Sequence, residues 1–195
     1  MARLIRKNFI LASTSPRRQE LLENLGLFFA TAAPDYDENI SNKSFNYELI
    51  EEIAKSKGES VAKKVNNPAV IISADTVVIY DDIVLGKPKD FDNAFKMLKL
   101  LNGKTHKVVT SICLIDNEKN KTIVKSETSE VTFNLLNDED IKNYIYDFQP
   151  YDKAGSYGIQ ELPEKFIKEI KGEYDNIVGL PTKTLINMIT ELTKE

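Results

Sequence analysis

The 195-residue chain holds one cysteine and one histidine. A lone Cys113 cannot close an internal disulfide. Its apolar setting, Ser111-Ile112-Cys113-Leu114-Ile115, fits a core thiol rather than a nucleophile. His106, with no cysteine or second histidine near it, is a poor zinc ligand, and a structural hydrogen bond suits it better. Positive charge is not in excess: 26 Lys and Arg stand against 30 Asp and Glu, for a net charge of −4. That balance excludes a general attraction to nucleic acid and makes any basic site local. No apolar run approaches the length of a membrane span, which argues against a membrane partner. The start, Met1 to Lys7, is too poor in apolar residues for a signal peptide. A cytoplasmic location follows as the expectation. Gly103-Lys104-Thr105 resembles the tail of a P-loop, but Leu98 stands where that motif needs its first glycine. No internal repeat, linker or low-complexity tract interrupts the chain. With 42% apolar residues, the expectation is one domain over residues 1–195.

The chain is organised around residues 10 to 26. A short apolar strand, Phe9 to Ala12, stops at Ser13-Thr14-Ser15. A helix then begins, with Ser15 as its expected N-cap and Pro16 at the first position. Leu21, Leu22 and Leu25 supply the expected buried stripe, and Gly26 the stop. Arg17 and Arg18 fall in the first turn, where the helix dipole favours anions rather than cations. Hydroxyls, unpaired backbone N–H groups and two guanidinium forks together suit a bound anion. The alternative is a surface helix that happens to start with arginines.

Ala69 to Tyr80 is the strongest strand. Its near-continuous apolar run implies burial on both faces. Asp75 stands in the middle, where an unpaired carboxylate is costly. Such a residue is paired, binds metal or is catalytic, or else is satisfied by backbone N–H groups. The spacing of Ile50, Ile53, Val61 and Ala62 predicts a helix over 46–65. Lys57 falls on its apolar stripe, either snorkelling outward or meeting a negative charge in a cleft. Asp81-Asp82 reads as a hairpin turn into Ile83-Val84-Leu85, followed by Gly86-Lys87-Pro88. Further helices are expected over 91–102 and 138–147 and at the end of the chain. Strands are expected at 28–33, 108–115, 123–133 and 166–170. The segment from Gln149 to Gln160 carries two glycines and clustered polar side chains, the chemistry of a loop that lets backbone approach a ligand closely.

Five motifs occur in the order found in Maf proteins. They are Ala12-Ser13-Thr14-Ser15-Pro16-Arg17-Arg18, Ser73-Ala74-Asp75-Thr76-Val77-Val78, Gly86-Lys87-Pro88, Asp152-Lys153-Ala154-Gly155-Ser156-Tyr157-Gly158-Ile159-Gln160 and Val178-Gly179-Leu180-Pro181. The resemblance runs nearly end to end, and the combination is specific where any single motif is not. It implies a nucleoside triphosphate pyrophosphatase that resembles the inosine triphosphate pyrophosphatase fold: α/β, a long mixed sheet with flanking helices, and two lobes around a cleft. It also implies a divalent metal, Mg²⁺ or Mn²⁺. Carried over residue by residue, the resemblance makes Asp75 the catalytic carboxylate. Ser13, Arg17, Arg18, Lys57 and Lys87 become substrate-binding, Glu38 and Asp75 metal-binding, and Arg17, Thr76 and Gln160 the positions tied to substrate choice. Thr after the catalytic Asp and Ile-Gln after Tyr-Gly resemble the dTTP/UTP pyrophosphatases. Other branches, such as the one acting on 7-methyl-GTP, differ there. A nucleotide-binding regulator of cell division is the alternative from a different class, and a homodimer is compatible with the resemblance. In one respect the chain departs from the family. Where glycines often follow the Gln, it runs Glu161-Leu162-Pro163-Glu164, which leaves the shape of that loop open.

Overall fold

The computed structural model describes residues 7–36 and 44–193. Its centre is β3 (Val70–Tyr80), in which every residue except Thr76 and Tyr80 is buried. Both faces are covered. Ile71, Val77 and Ile79 pack with Ala54, Val61 and Ile50 of α2 (Tyr47–Ala62). Ile72, Ala74 and Val78 pack into a larger core fed by α1 (Pro16–Asn24), α3 (Phe91–Leu101), α4 (Asp138–Phe148), α5 (Tyr174–Val178) and α6 (Thr182–Thr193). Two layers of helix on one sheet are what a strand without polar alternation requires.

The sheet is mixed. β1 (Phe9–Leu11) runs parallel to β2 (Phe29–Thr31) and to β3. β3, β5 (Thr105–Asp116), β6 (Lys121–Phe133) and β7 (Ile167–Lys171) follow as antiparallel neighbours, and β4 (Ile83–Leu85) also pairs with β3. The three long strands β3, β5 and β6 run through both lobes. β1 and β2 complete one end; β4 and β7 complete the other.

One edge of β3 is bonded to β5 from Val70 to Ile79. The opposite edge is shared. β1 covers Val70 to Ile72, ending with the Ala12 N–H donated to the Ile72 carbonyl at 2.8 Å, and β4 covers Val78 to Tyr80. Among the described residues no strand pairs with Ser73–Val77 on that edge. The sheet therefore opens where Asp75 and Thr76 stand.

Three local expectations change. The first helix ends at Asn24, so Leu25 sits at its C-cap and is exposed as the chain turns through Gly26 at φ 69°. Ser15 holds the N-cap position without a side-chain cap; the Ser13 hydroxyl instead accepts the Ser15 N–H at 3.1 Å. The segment before the last helix contains α5, a single turn too short to show a period in the sequence. Cys113 is buried in the core, as its apolar neighbours required.

Candidate active site

Asp75 and Lys57 form the buried centre of the opening. The Lys57 Nζ donates to Asp75 Oδ1 at 2.6 Å. Helical spacing sets Lys57 one turn from Ile53 and Val61 on the α2 stripe that faces β3, and β3 aims Asp75 at the same face. Burial, then the neighbouring charges of Arg18 and Lys87, bring Lys57 down to about 8 in spite of Asp75's attraction. Asp75 Oδ2 is buried and accepts no hydrogen bond among the described residues. One carboxylate oxygen thus holds an ammonium, and the other is left to accept from something else.

Alternation sends Thr76 to the opposite face from Asp75, yet both line one cleft. The missing strand pairing is the reason, because an open edge gives access to both faces. The Thr76 hydroxyl does not stand alone. It accepts from Arg18 Nη2 at 3.0 Å and lies 3.0 Å from the Thr110 hydroxyl. Arg18 also donates through Nε to the Gly179 carbonyl at 2.8 Å and through Nη1 to the Ser13 hydroxyl at 3.4 Å. Of the two arginines at the helix start, Arg18 is therefore largely committed to the protein. It ties α1 to β3 and to the turn after α5. Burial lowers its pKa, but a guanidinium stays charged. Arg17 is less committed, its Nη1 meeting Asp152 Oδ2 at 3.3 Å.

The second lip comes from the far lobe. The Gly155 N–H donates to the Gly86 carbonyl at 3.1 Å, fixing the loop against the residue before Lys87. Gly155 is at φ 67°, and a Cβ there would come within 2.8 Å of Val78, so glycine is required. Tyr157 stands beneath the cleft, its hydroxyl 2.7 Å from His106 Nε2. Burial lowers that imidazole to about 4, so it is neutral and structural. The cleft between the lips has a volume of about 330 Å³ and is lined by Ser13, Arg17, Arg18, Lys57, Asp75, Thr76, Lys87 and Gln160, among others. All the site residues expected from sequence meet there except Glu38, which lies outside the described residues.

Sequence reading missed three charged residues of this lip: Asp152, Lys153 and Glu161. Lys153 is buried and pairs with Asp152 at 2.8 Å and Glu161 at 3.2 Å. The Asp152-Lys153 dipeptide was visible in the motif, but nothing in sequence joined it to Arg17, 135 positions away.

Among the described residues no three His, Cys, Asp or Glu side chains gather to hold a metal ion. The unpartnered Asp75 Oδ2 is nonetheless a hard oxygen donor in the cleft, and its chemistry fits a divalent cation.

A mixed sheet parted by a basic cleft places the chain first in a fold class. It superimposes on a HAM1 protein from Coxiella burnetii with a TM-score of 0.50, covering 97% of this chain and 100% of that one at 18% identity, a likeness of fold. The chain belongs to the Maf-like protein family, whose model matches residues 8–192. It is 47% identical over 175 residues to the dTTP/UTP pyrophosphatase of Alkaliphilus oremlandii, covering 90% of this chain and 91% of that protein. It is 45% identical over 190 residues to the dTTP/UTP pyrophosphatase of Ruminiclostridium cellulolyticum, covering 97% and 98%.

Proposed function

We propose that the chain hydrolyses dTTP and UTP to the nucleoside monophosphate and pyrophosphate in this cleft. The observation that carries the reading is Asp75: a buried carboxylate with one oxygen on Lys57 and the other unpartnered, facing a lip of basic residues. Water attack at the α-phosphorus needs an oriented water, a proton acceptor and neutralised phosphate charge. Asp75 accepts the proton. Lys57 holds that carboxylate in place. Arg17, Lys87 and the Ser13 turn bind the triphosphate. Arg18 shapes that turn and adds charge to it. Asp75 and Glu38 would hold Mg²⁺ or Mn²⁺. When bound, such a cation supplies charge neutralisation at the phosphate and lowers the pKa of its water.

Base choice rests on Gln160, at the end of the Gly-rich loop and exposed to the cleft. Uracil and thymine present two carbonyl acceptors flanking one N–H donor, an edge that an amide and backbone groups can match. Cytosine offers an amine and an acceptor nitrogen instead, and a polar site rejects such a mismatch strongly. The thymine methyl adds only about 1 kcal/mol of contact, so both pyrimidines are accepted. Thr76 contributes through Arg18 rather than through the base. The dTTP/UTP names of relatives at 47% and 45% identity support the same choice.

The test is pyrophosphate release across dTTP, UTP, CTP, ATP, GTP and 7-methyl-GTP with Mg²⁺ or Mn²⁺. Turnover of dTTP and UTP well above the others is expected. Equal rates on CTP and UTP, a preference for 7-methyl-GTP, or nucleotide binding without turnover would overturn the reading.

A further inference from the structure

Glu161 directly follows Gln160, at the end of the Gly-rich loop. Its backbone closes a turn, with the Glu161 N–H donated to the Gly158 carbonyl at 3.0 Å. Gln160 is therefore the third residue of a four-residue turn that begins at Gly158. Both ends of the turn are tied down. At the start, the Gly158 N–H donates to the Tyr144 hydroxyl at 3.1 Å. At the end, Glu161 Oε2 lies 3.2 Å from the Lys153 Nζ. The lysine stem fills the inside of the turn: a Cβ on Gly158 would meet Lys153 Cε at 2.9 Å and Glu161 Oε2 at 3.1 Å. Lys153 is buried, whereas the Glu161 side chain keeps about a third of its surface exposed (32%). The same ammonium donates to Asp152 Oδ1 at 2.8 Å, and Asp152 Oδ2 accepts from Arg17 at 3.3 Å. An unbroken series of charges, Glu161, Lys153, Asp152 and Arg17, thus runs from the Gln160 turn across the cleft to the first helix.

We propose that Glu161 is a positioning residue for base choice, fixing the Gln160 turn through Lys153 and coupling it to Arg17 through Asp152. The proposal rests on the reading of the cleft as a pyrimidine nucleotide site. Loss of the Glu161 carboxylate leaves Lys153 to Asp152 alone and removes the tie at the end of the turn. The Gln160 turn then loses that anchor, and a Gln160 amide that can turn over offers cytosine a partner as readily as uracil.

The experiment is a kinetic cycle on the full chain with Glu161→Gln, Gln160→Ala and the double variant, measuring kcat and KM for UTP and CTP with Mg²⁺. Glu164→Gln, an exposed neighbour outside the series, is the control. In Glu161→Gln the ratio of kcat/KM for UTP over CTP should fall by about tenfold, the scale of a polar mismatch, through KM for UTP more than through kcat. In the Gln160→Ala background the same substitution should leave the ratio unchanged, because residues that act through one contact are not additive. A merely structural role would lower turnover of both nucleotides together and leave their ratio intact. An undiminished ratio in Glu161→Gln, or an equal fall in both backgrounds, would overturn the proposal. Failure of the underlying reading shows separately, in the wild-type chain: if that chain does not prefer UTP to CTP, the pyrimidine site and this inference fall together.

Discussion

Two cation–carboxylate pairs line the same cleft, and they differ in almost every physical respect. Lys57 and Asp75 meet at 2.6 Å with side chains 7% and 5% exposed; Arg17 and Asp152 meet at 3.3 Å with side chains 28% and 63% exposed. Breaking a pair in the interior leaves an uncompensated charge, which is costly. A pair at the rim stays solvated and screened, and is worth little to the fold. The buried pair stands beneath the position where chemistry is proposed. The rim pair spans the two lips of the cleft. A rim contact that costs little to break can be exchanged for a ligand anion, so the division of labour follows from solvent exposure.

The largest expected effect comes from Asp75→Asn. Asparagine keeps the shape but cannot take up the proton, so turnover of UTP should fall at least ~100-fold, the low end for general-base catalysis. Sequence alone suggests that this change leaves stability intact or raised, since a buried charge disappears. The Lys57 pair changes that expectation: asparagine cannot supply the negative charge that the Lys57 ammonium meets at 2.6 Å, and thermal melting should show a lower Tm than wild type.

Lys57→Met asks the converse question. Asp75 is then buried without its ammonium, and urea unfolding should report a loss of about 3 kcal/mol. Combining it with Asp75→Asn should recover part of that loss, because the second change removes the stranded charge.

His106 sharpens the contrast from another side, as a buried group kept neutral. The unfolded imidazole takes up its proton near 6.5, whereas the folded one resists until about 4. Between those values the unfolded state binds more protons. The stabilisation is therefore complete above pH 6.5 and lost as pH falls toward 4, up to about 3 kcal/mol. His106→Gln should flatten that part of the Tm–pH curve. An unchanged slope would show that His106 is not the group responsible.

The smallest effect on the fold is expected at the rim. Asp152→Asn weakens the exposed Arg17 pair and leaves the buried Lys153 with Glu161, so its loss of unfolding free energy should stay below that of Lys57→Met. Its consequence should appear in KM and in nucleotide preference.

How much of this was legible beforehand depended on the range of each signal. The apolar run of β3 and the stripe of α2 announced themselves, and with them Asp75 and Lys57 as misfits on apolar faces. Local rules cannot say that such misfits face each other. Thr76 seemed turned away by strand alternation because nothing in sequence shows that β1 and β4 leave a gap along β3. That Arg18 also binds Thr76 and the Gly179 carbonyl could not be read beforehand, because those partners are remote in the chain. Ser15 holds the N-cap position that the sequence suggested, but its side chain caps nothing; the Ser13 hydroxyl accepts the Ser15 N–H instead. Glu161 was visible only as a departure, and its meaning depends on a lysine packed inside the turn.

The most direct test of the division between the two pairs is kcat and KM for UTP and CTP, measured side by side in Asp75→Asn and Asp152→Asn. Asp75→Asn should lose turnover of both nucleotides in proportion, keeping their ratio, while Asp152→Asn keeps kcat for UTP and loses selectivity. A changed ratio in Asp75→Asn, or a collapse of kcat with unchanged selectivity in Asp152→Asn, would contradict the account.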